Sequence, residues 1–364
     1  MVFYKEPNDK AMYTIIIPTH ERHDVLRRSI DYYRNFDCHI FVADSSPKKI
    51  DDEFPDNVIY KHLPEFGFIS DSGIGFAEKI LEVAKTITTP YVCISPDDDF
   101  LLESSLKTGA RFLDDNLDYV SVQGRYLGFE LIEGRVVFSP RYARYSSQYA
   151  VEDEDSLSRV VRTFNPYMHQ VFSIQRTELF IRSYQLCTGV SSVRMMEILA
   201  LLIPMCHGKH KVLPILWMAR DRHMFDPVRS LKKLKTGESE NTITGLYKKY
   251  NEEVNKYKKY LDSEECRLVR KKFKNSVSGL IGENNESDKI FNAAYKSFMK
   301  YLIAVRNEGI IKKILRIFIP AGMVNHIKAY KESQVLGGAE ETSSSKNFIE
   351  EVRRSILKFL KCYE

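Results

Sequence analysis

Tyr91-Val-Cys-Ile-Ser-Pro-Asp-Asp-Asp-Phe100 runs from an apolar stretch straight into three consecutive carboxylates. Residues such as Val, Ile and Tyr favour buried strands, so this stretch delivers Asp97, Asp98 and Asp99 to the edge of a core. Two carboxylates about 4 Å apart repel by roughly 4 kcal/mol at an effective dielectric near 20. Three held together call for open water or a cation. An all-oxygen donor set suits Mg²⁺ or Mn²⁺, and Mg²⁺ is commonly held by one or two carboxylates plus substrate phosphates. The alternative on this stretch alone is a solvated acidic turn capping the helix that begins near Leu101.

The elements that position the triplet read as alternating strand and helix. Tyr13 to Thr19 is a largely apolar, β-branched run of the kind found in parallel strands covered on both faces. The spacing of Val25, Leu26, Ile30 and Tyr33 predicts a helix over 24–35. His39 to Asp44 is a second apolar strand ending in an acid, and Val58 to Tyr60 a weaker third. A helix over 72–86, with Ile74, Ala77, Ile80, Leu81 and Ala84 on one face, leads into the strand at Tyr91. This alternation implies a right-handed, mostly parallel α/β sheet. Beyond it come a helix at 101–113, a strand at 119–123 and a hairpin around Glu133-Gly134. A tyrosine-bearing functional loop is expected over 139–160, then a strand at 171–174, a helix over 193–205 and a last strand at 212–218. From about Asp226 the chain becomes Lys- and Tyr-rich and helical. The expected division is therefore 1–225, a catalytic sheet domain, and 226–364, a basic helical region.

Composition excludes several classes. The chain has 364 residues, enough for two structural units, with 43% hydrophobic and 28% charged residues as in soluble globular proteins. It holds no apolar run of the roughly 20 residues needed to span a bilayer. Its N-terminus lacks the layout of a secretory signal. Six scattered cysteines, with no C-x-x-C pair, read as reduced thiols of a cytoplasmic protein. The net charge of +5 is modest, and no nucleic-acid recognition motif is present. Ile310 to Pro320 could lie on an anionic membrane face or dock on the sheet domain, and docking is slightly favoured.

In an open parallel sheet, ligands bind beyond the carboxyl ends of the strands. Those ends here are Pro18-Thr19-His20-Glu21-Arg22, Asp44 and the triplet. Together, Thr14-Ile-Ile-Ile-Pro-Thr-His-Glu-Arg22, Phe41-Val-Ala-Asp44, Thr89-Pro90-Tyr91 and Asp97-Asp-Asp99 resemble the family 2-type inverting glycosyltransferases of the GT-A fold, and within them a bacterial branch with a D-D-D-F metal motif. The resemblance covers about residues 13–225.

It implies a nucleotide pocket of Pro18, Thr19, Glu21, Arg22 and Asp44, with Lys79, Asp98 and Arg220 toward the phosphates. Asp97 and Asp99, joined by His223, would hold Mn²⁺ or Mg²⁺ on the donor diphosphate. Pro96 stands where many members place the first acid of the motif, so which two of the three aspartates touch the metal is left open. Glu197, amid Met195, Met196, Ile198 and Leu199, fits the general base, an apolar setting that makes a carboxylate a better proton acceptor. It could instead be an ion-paired residue meeting Arg194. His169 is an acceptor-site candidate, and Tyr142, Tyr145 and Tyr149 could stack on sugar rings.

The implied activity is transfer of a sugar from a nucleoside-diphosphate sugar, UDP favoured, to a hydroxyl of a glycan or lipid-linked acceptor in bacterial surface polysaccharide synthesis, in the cytoplasm or at the inner membrane face. The alternatives are a nucleotidyltransferase, which should carry a Gly-rich loop where Pro18 to Arg22 stands, and a non-catalytic glycan-binding scaffold on the same fold. Oligomeric state is not legible.

Overall fold

A computed structural model describes residues 11–67, 73–132, 135–142, 146–221, 252, 255, 258–281, 285–318 and 343–361. The chain divides into two compact units. The first comprises Met1–Arg125, Tyr145–Met218 and Leu268–Ala294, and the second Tyr126–Arg144, Ala219–Arg267 and Tyr295–Glu364. This differs from the expected boundary near residue 225. The hairpin belongs to the second unit, and part of the C-terminal region to the first.

The first unit is built on a sheet whose strands are β1 (Tyr13–Thr19), β2 (His39–Asp44), β3 (Val58–His62), β4 (Tyr91–Ile94), β5 (Phe100–Leu101), β6 (Tyr119–Ile132), β8 (Ile174–Arg176) and β9 (Lys209–Asp221). Their order is β3-β2-β1-β4-β8-β6-β9-β5. β3, β2, β1 and β4 are parallel, with Thr19 opposite Asp44 and Ile16 opposite Ile94. β8 is antiparallel to both β4 and β6, so the far half of the sheet is mixed. Helices α1 (His23–Tyr33), α2 (Phe76–Ala84), α3 (Glu103–Asp115), α4 (Ser156–Thr163), α5 (Thr177–Cys187) and α6 (Val193–His207) complete the α/β arrangement expected. α7 (Glu264–Val277) and α8 (Asn285–Phe318) follow.

Two local features explain the helix placements. Gly75 caps α2 at φ +82°, where an added Cβ would meet the Phe66 carbonyl oxygen at 2.0 Å. The Gly75 N–H donates to Glu78 Oε2 at 2.7 Å, closing the first turn of α2. Gly109 lets α3 approach the sheet, because a Cβ there would lie 2.9 Å from Trp217 and 3.0 Å from Ile174. α6 buries eleven of its fifteen residues, so it is apolar nearly all round and packs on α4 and α5. Ser192 caps it by accepting from the Met195 N–H.

The expected loop at 139–160 instead holds a 3-10 turn at Ser146–Tyr149 and the start of α4, and it buries Tyr149. Residues 171–174 form a 3-10 turn, Gln170–Phe172, followed by β8 rather than one strand. The helix before β4 starts at Phe76, and residue 72 lies outside the described residues.

Basic residues of the C-terminal region take part in packing within the first unit. Lys272 Nζ donates to the Thr188 carbonyl at 2.9 Å. The Arg270 guanidinium lies 4.5 Å from the Phe291 ring centroid and donates to Asn292 at 2.7 Å. In the second unit, β7 (Arg135–Pro140) pairs antiparallel with the end of β6, while the hairpin tip at Glu133-Gly134 lies outside the described residues. α9 (Ser343–Lys361) packs on β7, burying Phe348, Ile349, Val352 and Ile356 at helical spacing. Arg353 covers Phe138 at 5.7 Å. The backbone of α8 reaches Phe318, but the side chains of 310–320 lie outside the described residues, as do Gly337-Gly338, Tyr145 and Cys362. Among the described residues no helix is long and apolar enough to cross a membrane, and Cys38, Cys93, Cys187, Cys206 and Cys266 are buried free thiols.

Candidate active site

β1 is where the strand order reverses. β2 and β3 extend the sheet to one side of it and β4 to the other, which makes the β1/β4 boundary a topological switch point. Both strands deliver polar residues there. Thr19 Oγ1 donates to Asp97 Oδ2 at 2.7 Å. Arg22, next along the loop, donates from Nη1 to Asp97 Oδ1 at 2.8 Å and from Nη2 to Asp98 Oδ2 at 2.9 Å. One guanidinium therefore bridges two carboxylates of the triplet, as its planar fork allows. Asp97 is only 3% exposed. Burial pushes its carboxyl up to about 6, Arg22 pulling it down and Asp98 pushing it further up.

The backbone of the triplet is fixed from α1. Arg28 donates to the Asp98 carbonyl at 3.1 Å, and Ser29 Oγ to the Asp97 carbonyl. Tyr33 Oη joins Ser95 Oγ at 2.8 Å and accepts from the Leu101 N–H at 2.9 Å. Burial pushes the Tyr33 phenol well above its ordinary range, so this is a neutral structural hydroxyl. Neither Arg28 nor Ser29 stands out in sequence. Both read as ordinary positions of an amphipathic helix, yet both are buried.

Asp44, at the end of β2, is fully buried. Its Oδ1 accepts from the Ser46 N–H at 2.8 Å and from Ser46 Oγ. Its Oδ2 accepts from Tyr60 Oη at 2.6 Å and lies 3.0 Å from His23 Nε2. Burial pushes its carboxyl up, but these hydrogen bonds outweigh it and hold Asp44 below the usual carboxylate range. Asp44 was expected to line the nucleotide pocket; in this structure its oxygens engage His23, Ser46 and Tyr60. Tyr60 stacks on Phe54 at 4.9 Å.

Lys79 is 3% exposed and donates to the Thr19 carbonyl at 2.8 Å and to Ser45 Oγ at 3.0 Å, tying the ends of β1 and β2 together. Burial pulls its amine down to about 8 against the attraction of Asp97 and Asp44. Glu21 sits at φ +50° and offers its backbone, whose N–H donates to Ser46 Oγ at 2.7 Å, while its carboxylate is largely exposed. His20 Nδ1 lies 2.9 Å from the Ser45 carbonyl. Pro18 is paired in register with Ala43.

Thr19, Arg22, Asp97 and Asp98 are thus brought together directly, and Lys79 and Asp44 border them. Asp99 is buried beside them. Arg220 lies on the part of β9 that belongs to the second unit, and His223 lies outside the described residues.

A divalent cation matches the donor chemistry of this end of the sheet. The guanidinium already shows that Asp97 and Asp98 can share one positive group. Among the described residues no three His, Cys, Asp or Glu side chains gather into a metal cage. A cation there would be completed by ligand phosphates, with Asp97 and Asp98, which already share the Arg22 guanidinium, as its carboxylates.

Glu197 stands in the first turns of α6. Tyr167 Oη donates to its Oε1, and His169 Nε2 lies 3.5 Å from the same oxygen. His169 was legible as a polar residue in an irregular segment. Tyr167 was not, since its partner lies 30 residues away.

A scan against protein-family models gives no match, and a comparison with curated proteins gives none. Among solved structures, the chain is similar to S. aureus TarS 1–349 at 13% identity, covering 90% of this chain and 93% of that one, with a TM-score of 0.41. For TarS 1–349 in complex with UDP-GlcNAc the values are 14%, 90%, 93% and 0.43. For the complex with UDP they are 12%, 81%, 91% and 0.42. Likeness at this level leaves the site to be read from the chain's own strands and side chains.

Proposed function

We propose that the chain is a nucleotide-sugar-dependent glycosyltransferase acting with inversion, its donor a nucleoside-diphosphate sugar with UDP favoured. The observation that carries the reading is the Thr19–Asp97–Arg22 network across the β1/β4 switch point, where an α/β sheet binds nucleotides. A bound Mn²⁺ or Mg²⁺ would neutralise charge on the departing diphosphate. Arg22, a fork-shaped cation within the same network, would exchange its carboxylates for phosphate oxygens as the donor enters. Glu197 would take the proton of the acceptor hydroxyl as its oxygen attacks the anomeric carbon. The bond from that carbon to the diphosphate oxygen breaks, and its electron pair leaves with the nucleoside diphosphate. The acceptor class is a hydroxyl of a glycan or lipid-linked glycan of a bacterial surface polysaccharide, with the chain working on the cytoplasmic side of the membrane.

The test is nucleoside-diphosphate release from a panel of UDP- and GDP-sugars with Mn²⁺ or Mg²⁺. Turnover should require Asp97 and Glu197. Full activity in both Asp97→Ala and Glu197→Ala would remove this assignment.

A further inference from the structure

Glu197 does not stand alone. The segment leading to it in space begins at Phe164, whose ring stacks on Tyr167 with centroids 5.6 Å apart. An antiparallel bridge joins the backbones of the same two residues, and the Asn165 N–H donates to the Arg162 carbonyl at 3.0 Å. The ring of His169 lies 5.2 Å from that of Tyr167 and nearly parallel to Phe172 at 6.3 Å. The Phe172 carbonyl is in turn held by Trp217 Nε1 at 3.1 Å. The 3-10 turn at Gln170–Phe172 packs on β4, the strand that ends in the aspartate triplet, and on α6, the helix that carries Glu197. One short, doubly anchored segment therefore connects the diphosphate end of the site to the candidate base.

Both polar tips of this segment meet the same carboxylate oxygen. Tyr167 Oη and His169 Nε2 converge on Oε1 of Glu197, whose side chain is 19% exposed. The Tyr167 hydroxyl bonds that oxygen and the His169 ring stands beside it, and together they restrict the rotation of the carboxylate. A base must hold its accepting atom within hydrogen-bond reach of the proton it removes, and errors of an ångström in such placement lower rates steeply. Packed aromatic rings supply the rigidity this demands.

We infer that Tyr167 and His169 are positioning residues that clamp Oε1 of Glu197 and so present Oε2 to the acceptor hydroxyl. The inference rests on Glu197 being the base. In the step, the hydroxyl proton passes to Oε2 while Oε1 keeps its Tyr167 hydrogen bond and its His169 neighbour. Tyr167 and His169 exchange no proton with the substrate.

The full chain, assayed by UDP release from UDP-sugars with water as acceptor, tests this. Tyr167→Phe keeps the ring and removes the donor. It should lower kcat by about tenfold or more, with KM for the donor within about twofold and the melting temperature preserved. His169→Ala should act in the same direction, and His169→Gln, whose amide supplies an N–H, should recover most of the loss. An unchanged kcat in Tyr167→Phe and His169→Ala, or a loss carried by KM alone, would overturn the inference. If Tyr167→Phe fails to fold, the His169 pair decides: a lack of rescue by His169→Gln means the role is packing only. Activity that survives in Glu197→Gln removes the base itself, and no turnover by the wild-type protein removes the transferase reading. Both outcomes differ from a failed clamp, which leaves Glu197 essential and its neighbours dispensable.

Discussion

Asp44 and Asp97 lie at the ends of strands flanking β1, both almost entirely out of solvent, and the fold treats them in opposite ways. Asp44 is surrounded by Ser46, Tyr60 and His23, whose hydrogen bonds outweigh the cost of burial. Asp97 has one hydroxyl and one guanidinium, with another carboxylate beside it, and burial prevails. A carboxylate satisfied on both oxygens by neutral donors from its own loop, β3 and α1 is held as part of the packing. One balanced against a cation on a flexible stem would, in the proposed reading, keep its charge for exchange with a ligand. Of the two strand-terminal acids, Asp44 is thus the one whose burial is more fully compensated.

Opposite responses to the same substitution would separate the two. Asp97→Ala should lower donor turnover by about 10²–10³-fold, the range for losing a group that stabilises developing charge. Its stability should be little changed, because an unfavourable burial is removed. Asp44→Asn turns one acceptor oxygen into a donor facing hydroxyl and imidazole groups, and should cost about 2–3 kcal/mol in chemical denaturation. A stable Asp44→Asn protein would collapse the distinction.

His210 supplies a third kind of buried group. It is fully buried, with Nδ1 2.7 Å from Ser121 Oγ, and burial pushes its imidazole down to about 3. Between about pH 6.5 and 3 the unfolded chain binds a proton that the folded chain refuses, so stability falls as pH falls through that window. The loss should be about 2 kcal/mol between pH 7 and pH 5, and it should disappear in His210→Gln. A pH slope unchanged by that substitution would place the acid sensitivity elsewhere.

The smallest effect concerns the exchangeable charge. Arg22→Gln leaves Asp97 and Asp98 without their shared cation, so Mn²⁺ should bind the nucleotide-free protein about tenfold more tightly, roughly 1.4 kcal/mol. Arg22→Lys should fall between, since a point charge cannot bridge both carboxylates as a fork does. Equal Mn²⁺ affinity in all three proteins would mean the pairing is not a competition.

The parallel half of the sheet was legible because strands covered on both faces become apolar runs; β2 and β4 end just before Ser45 and Ser95-Pro96, while β1 runs on through Pro18 to Thr19. α5 was not foreseen. Its buried face includes Thr177, Ser183 and Cys187, which blur the apolar period. Val171 to Ile174 has the composition of a strand, but the first part coils into a 3-10 turn that lets β8 pair with both β4 and β6. At the site, residues adjacent in sequence were found and long-range partners were not. Asp44 was identified but Tyr60 was missed, and Glu197 was identified without Tyr167. Those bonds depend on where separate elements meet, which local patterning does not encode.

Lys79 carries a practical consequence. Its amine is held near neutral basicity, yet it is enclosed between the ends of β1 and β2. Electrophiles that modify exposed lysines would reach it only when these strand ends part. Its acylation rate would therefore clock the breathing of this end of the sheet, a native reporter that needs no label to be engineered.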